Sequence, residues 1–170
     1  MPWGFRDGPM DELKKLLCSF RYALRGIGYA ICTQRNLRIH LTAVAVVVIF
    51  NAMARLSVIH WCMEILCCMV VIGLELVNTA LEQACDAFTT EQHAGIGHAK
   101  DAAAGAVLAT AIGSVIVAAL IFFRGDPAYL ENITRVWHHM PWVKYMLVLG
   151  ALAALAFIFL PSALQTRKRR

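Results

Sequence analysis

Glu75, Asn78, Glu82 and Asp86 follow one another along an apolar segment, Glu75-Leu76-Val77-Asn78-Thr79-Ala80-Leu81-Glu82-Gln83-Ala84-Cys85-Asp86, at spacings of three, four and four residues. At about 100° per residue these side chains share one face of a helix, which then carries three carboxylates and an amide in a single stripe. A carboxylate at membrane depth is costly to desolvate and by default marks a functional site. Two kinds of chemistry are open to such a stripe: proton abstraction and cation binding in an active site, or an ion path.

The elements that must position the stripe are membrane helices. Of the 170 residues 59% are apolar, the mean hydropathy is +0.61, and the apolar residues come in blocks of bilayer-spanning length. The expected fold class is all-α, a polytopic membrane helical bundle. Spans are expected at about 37–56, 58–85, 102–123 and 143–160. Ahead of them, over 11–34, Leu13, Leu16, Leu17, Phe20, Leu24, Ile27 and Ile31 recur at helical spacing, with Lys14, Lys15, Arg21 and Arg25 on other faces. That pattern predicts an amphipathic helix lying on the membrane surface.

Placing both termini in the cytoplasm puts twelve of the 16 Lys and Arg residues inside, including the tail Arg167-Lys168-Arg169-Arg170, and leaves Arg55, Arg124, Arg135 and Lys144 outside. This positive-inside bias predicts a multi-pass membrane protein with both termini cytoplasmic. Trp61, Trp137 and Trp142 fall at the expected outer ends of spans, where amphipathic rings favour the interface. Gly105, Ala109 and Gly113, beside Ala102, Ala106, Thr110 and Ser114, would let the third span approach its neighbours closely inside a bundle. Residues 124–140, with Gly125 and Pro127, read as an external loop.

Several function classes are excluded or disfavoured. The net charge of +5 is explained by topology, so no nucleic-acid partner is inferred. The charged N-terminal residues lack the pattern of a removable signal peptide, and the mature chain is expected to start near Met1. Six cysteines without a Cys-x-x-Cys pair read as buried free thiols. His40, His60, His93 and His98 lack the spacing of a metal cluster. Met63, Cys67, Cys68 and Met69 read as packing residues. Glu64, on the same stripe as Glu75 but near the outer end of its span, reads as an outer-interface or packing residue. No Gly-x-x-x-x-Gly-Lys-Ser/Thr loop is present, and Gly95-Ile96-Gly97-His98 is too short to replace one.

At the inner end of the second span, Glu82 and Asp86 meet Lys100-Asp101 across a short loop. A base, a carboxylate for magnesium and a cation for phosphates are what phosphoryl transfer to a membrane alcohol requires.

The runs Ser19-Phe20-Arg21-Tyr22-Ala23-Leu24-Arg25-Gly26, Arg35-Asn36-Leu37-Arg38-Ile39-His40-Leu41, Glu75 to Glu82 and Ala99-Lys100-Asp101 resemble the prokaryotic diacylglycerol kinase family, which includes undecaprenol kinases. The resemblance covers about residues 13–123. Its most specific part is Glu-x-x-Asn-Ser/Thr-Ala-x-Glu followed by Ala-Lys-Asp. It implies a small homotrimeric enzyme of the bacterial inner membrane with a surface helix and three spans per subunit, using magnesium and ATP to phosphorylate a lipid hydroxyl. By the same resemblance Glu75 is the general base, assisted by Asn78. Glu82 holds the metal, and Tyr22, Gln34, Glu91, Gln92, His93, Lys100 and Asp101 line the nucleotide site.

The chain departs from the family pattern in three places. Gln34 stands where a second metal-binding glutamate is usual, and an amide oxygen lacks the charge that hard cations favour. Lys15 stands where an arginine is frequent, replacing a forked donor by a point charge. The fourth span with its basic tail is an addition, and the tail suits anionic lipids. The expected division is a lipid-kinase domain over 1–125, followed by an external loop, extra span and cytoplasmic tail over 126–170. The expected reaction is transfer of the γ-phosphoryl group of ATP to diacylglycerol, with undecaprenol as the alternative acceptor. The competing class is a non-catalytic protein, either a degenerate kinase or an ion-conducting bundle.

Overall fold

A bilayer offers no hydrogen-bond partners, so a spanning segment must satisfy its backbone internally, and uninterrupted Leu, Ile, Val and Ala blocks do so as helices. The computed structural model describes residues 9–88 and 94–159. Among these residues there are six helices and no strand: α1 Pro9–Thr33, α2 Arg35–Ala54, α3 Val58–Phe88, α4 Ala94–Arg124, α5 Ala128–His139 and α6 Pro141–Phe159. Four of them, α2, α3, α4 and α6, are long and apolar enough to cross a membrane. The tail 167–170 and the loop residues Glu91, Gln92 and His93 lie outside the described residues.

α3 and α4 have 31 residues each. At 1.5 Å per residue each is about 46 Å long, well beyond the roughly 30 Å of hydrocarbon, so their adjoining ends project past it. α4 begins at Ala94 rather than at Ala102 for this reason: its first two turns are polar and carry no hydropathy signal, yet they continue the same helix. α3 runs along α4 and packs on α2, which also meets α5 and α6. The buried residues of α3 are Glu64, Val71, Glu75, Asn78 and Thr79, so its polar stripe faces neighbouring helices and not lipid.

Residues 124–140 differ from the expected external loop, because most of them form α5. Pro127 has a helical φ of −52° at the start, and the Asp126 carboxylate accepts a bond from the Ala128 amide at 2.9 Å. Beyond these breaker residues, Tyr129, Ile133 and Val136 recur at i, i+4 and i+7, a stripe that becomes helical once it has a surface to cover. That surface is a small core of Ala54, Leu56, Ile121 and Tyr129, flanked by Trp61, Val117, Phe122 and Ile133. Asn132 donates to the Ala54 carbonyl at 3.0 Å, and His60 Nδ1 and the Tyr129 hydroxyl share a hydrogen bond at 3.0 Å. Gly125 is sterically required here, since a Cβ would sit 2.2 Å from the Ile121 carbonyl oxygen.

The small-residue face of α4 is not used as expected. Nothing lies within 4 Å of a Cβ built at Gly105 or Gly113. α4 buries Val107 and Ile121 instead. Large apolar side chains offer more contact area than glycine, so they take the intrachain packing and leave Ala102, Gly105, Ala106 and Ala109 exposed, with Thr110, Gly113 and Ser114 half-buried. Glu64 takes the packing role and is not an interface residue: it is 2% exposed and lines an apolar cavity of about 170 Å³ with Val44, Cys68 and Ala111.

Candidate active site

Gln34 sits in the break between α1 and α2, in extended conformation at φ −101° and ψ 115°. The break needs a lock, because the last carbonyls of α1 have no partners within their own helix. Arg38, buried in the first turn of α2, supplies it: its Nη1 donates to the carbonyls of Ile31 and Cys32, both at 3.1 Å. The Gln34 amide donates to the Ala30 carbonyl at 2.8 Å. Tyr29, near the end of α1, donates from its hydroxyl to Gln83 Oε1 on α3 at 3.0 Å. The elbow is thereby tied to the polar end of α3.

Across the elbow, Gln34 Nε2 donates to Glu82 Oε2 at 3.4 Å, and Asn78 Nδ2 donates to Glu82 Oε1 at 2.9 Å. Two amides, one in the elbow and one on α3, therefore hold the two oxygens of one carboxylate. Asn78 uses its donor on Glu82 and not on Glu75, and its own Oδ1 is buried without a partner. Glu75, two turns deeper on the same stripe, is 3% exposed, and its carboxyl has no hydrogen-bond partner among the described residues. Thr79 packs beside it, donating to the Glu75 backbone carbonyl at 2.9 Å. At the end of the stripe, Lys100 of α4 pairs with Asp86 of α3.

The structure thus brings Gln34, Glu75, Asn78 and Glu82 onto one wall, with Lys100 at its mouth. Asp101 is exposed beside Lys100. Tyr22 is 66% exposed on α1, and it lies twelve residues, or about 18 Å, from Gln34 along the helix. It forms none of these bonds. Tyr29, Arg38 and Gln83 were not singled out for roles by sequence reasoning. The available signal was Arg38 itself, a charge one turn inside an apolar span that must find carbonyl or carboxylate partners.

Among the described residues no three His, Cys, Asp or Glu side chains cluster to form a metal cage. A magnesium ion does not need one, since it is commonly held by one or two carboxylates together with substrate phosphates. Glu82, with the amide oxygen of Gln34 reachable by rotation of the carboxamide, fits that donor set.

Arg38→Met removes two charge-assisted bonds and leaves two carbonyls unpaired. We expect it to cost about 2 kcal/mol, seen as a lower unfolding midpoint in detergent, with Arg38→Lys restoring only part. An unchanged midpoint would mean that the elbow is held by other contacts.

The sequence model of the prokaryotic diacylglycerol kinase family matches residues 21–122. The chain is 40% identical over 112 residues to the undecaprenol kinase of Bacillus subtilis (strain 168), covering 66% of this chain and 91% of that protein. It is 44% identical over 114 residues to the diacylglycerol kinase of Synechocystis sp. (strain ATCC 27184 / PCC 6803 / Kazusa), covering 66% of this chain and 65% of that protein. No solved structure matches it significantly.

Proposed function

Because this chain belongs to the prokaryotic diacylglycerol kinase family of membrane lipid kinases, we propose that it transfers the γ-phosphoryl group of ATP to diacylglycerol, yielding phosphatidic acid. The observation that carries the reading is the α3 stripe, in which a buried carboxyl without a partner among the described residues lies two turns below a carboxylate gripped by two amides. Glu75 accepts the proton of the lipid hydroxyl as that oxygen bonds to the γ-phosphorus, and the bond from the γ-phosphorus to the β–γ bridging oxygen breaks to release ADP. Burial keeps water from competing with the lipid alcohol as the nucleophile. Asn78 and Gln34 hold Glu82 at the level of the phosphates.

Glu82, with the carboxamide oxygen of Gln34 once it rotates off Glu82, would hold magnesium, which would neutralise charge on those phosphates. Lys100 adds a second positive charge, and its pairing with Asp86 keeps it at the mouth until a phosphate competes for it. Asp101, Tyr22 and the loop residues Glu91, Gln92 and His93 complete the nucleotide site in this reading.

Undecaprenol is the second acceptor to consider, because the undecaprenol kinase relative is matched over 91% of its length. Both lipids present a primary hydroxyl on an apolar tail, so the same residues serve either. The excess of Lys and Arg at the Glu82 end supports a cytoplasmic location for the site. The exposed Leu13, Leu16, Leu17 and Phe20 of α1 suit the membrane surface, while the face of α4 with Gly105 and Gly113, where nothing lies within 4 Å, would let another copy approach closely and supports a homotrimer. Residues 1–125 would then be the kinase domain and 126–170 an appended unit.

The test is side-by-side transfer of labelled γ-phosphate from ATP to diacylglycerol and to undecaprenol in mixed micelles. Preferential labelling of diacylglycerol is the expected result. Preference for undecaprenol would reassign the acceptor, and labelling of neither would favour the degenerate-kinase reading.

A further inference from the structure

We propose that the recess between the end of α2 and α5 is a phosphate-group binding site, on the face of the protein opposite the Glu75–Glu82 stripe. The recess has a volume of about 170 Å³, and its lining includes Met53, Arg55, Asn132, Arg135, Val136 and His139. Two of the four Lys and Arg residues assigned to the outer side therefore converge on one recess. Among the described residues no carboxylate lines it, and neither guanidinium makes an ion pair.

The arrangement of Arg135 is informative because a cheaper one exists. Glu131 lies four residues before it on α5, the favourable order for a helical ion pair, yet that pair is not formed. Arg55 is equally placed against local preference. It adopts φ 56°, the only positive φ of a non-glycine residue among those described, at the position just past α2 where glycine is ordinarily found. The turn is closed by the Arg55 amide on the Ala52 carbonyl at 3.3 Å and the Leu56 amide on the Asn51 carbonyl at 3.2 Å. An arginine there strains the backbone, where glycine would not.

The C-terminal ends of α2 and α5 both reach this region. Each carries about half a negative charge, so two full guanidinium charges exceed what the helix ends neutralise, even with His139 uncharged. The surplus is positive, and guanidinium forks match phosphate oxygens in geometry. Asn132 stiffens the floor of the recess, because its amide is held on the Ala54 carbonyl at 3.0 Å. Trp137 and Trp142, exposed at 44% and 60%, mark this level as the membrane interface, where the phosphates of lipid headgroups lie. α5 falls outside residues 21–122 whereas Met53 and Arg55 lie within them, so the recess forms where the appended part of the chain meets the family-matched part.

The test uses the full chain in neutral detergent, titrated in separate arms with phosphatidylglycerol, phosphatidylcholine and sodium phosphate. Bound lipid is counted by native mass spectrometry, and the effect of free phosphate is read as a shift in the unfolding midpoint. The variants are Arg55→Gly, which removes a charge while relieving the backbone, Arg135→Gln, and the two combined. Wild-type protein is expected to retain phosphatidylglycerol, whose phosphate charge is uncompensated, at an at least tenfold lower half-saturating concentration than the double variant, while phosphatidylcholine, whose choline balances its phosphate, differs little between them. Stabilisation by sodium phosphate alone, lost in the variants, would support the same site with a soluble occupant. Equal retention and equal midpoint shifts in wild type and in the folded single variants would overturn the proposal.

Discussion

Glu75→Gln is expected to lower the rate of phosphoryl transfer by about 10²–10⁴-fold while leaving the protein folded, as befits the loss of a general base. The size of the effect follows from position. The Glu75 carboxyl is buried and hydrogen-bonded to nothing among the described residues, so no neighbouring base stands ready to replace it. Glutamine has the same shape, and no partner is left unpaired when the charge is removed, so the unfolding midpoint should not fall. The Michaelis constant for ATP should change little, because the lost interaction belongs to the lipid oxygen and not to the nucleotide. Initial rates across ATP and lipid concentrations, with a thermal melt of the same preparation, check all three statements. A rate within a few-fold of wild type would move the proton acceptor elsewhere on the stripe.

A second large effect is expected at Glu82. Glu82→Gln replaces a carboxylate that now accepts from Gln34 and Asn78 by an amide, whose neutral oxygen lacks the charge that hard divalent cations favour. Activity at fixed magnesium should fall by about 100-fold, from the combined loss of charge and of oriented oxygen. Unlike Glu75→Gln, part of the loss should be recovered by raising the magnesium concentration. Gln34→Glu provides the opposite case. It puts a second carboxylate where an amide nitrogen now lies 3.4 Å from Glu82 Oε2, so without a cation the two charges repel, and with one they chelate. The half-saturating magnesium concentration should drop by roughly tenfold, as two carboxylates replace one. The metal-free protein should melt lower than wild type. A magnesium dependence identical to wild type in both variants would remove this pair of residues from the metal site.

Much of the site was readable because helical periodicity is strict. Once α3 is a helix, Glu75, Asn78 and Glu82 must share a face, and the cost of facing lipid requires that face to turn inward. Gln34 was legible as a departure from a motif, but its bond to Glu82 joins residues 48 apart in sequence and depends on the angle of the elbow. That angle is held by Arg38 and Tyr29, whose partners are backbone carbonyls and a distant glutamine. Composition and periodicity carry no record of such partners. α5 was missed for a related reason: an amphipathic stretch after Gly125 and Pro127 becomes helical only when Ala54, Leu56 and Ile121 give it a surface to cover.

The amino-acid sequence by itself determined the helical fold class, the number of spans and the composition of the polar stripe, because hydropathy and a 3.6-residue period act locally along one chain. Only the tertiary structure decided that two amides grip Glu82, that the small-residue face of α4 stays open, and that an arginine-lined recess closes over the end of α2. Each of these depends on how separate helices meet. That is fixed by the competition of side-chain volumes and unpaired polar groups across the interfaces, a quantity no single segment contains.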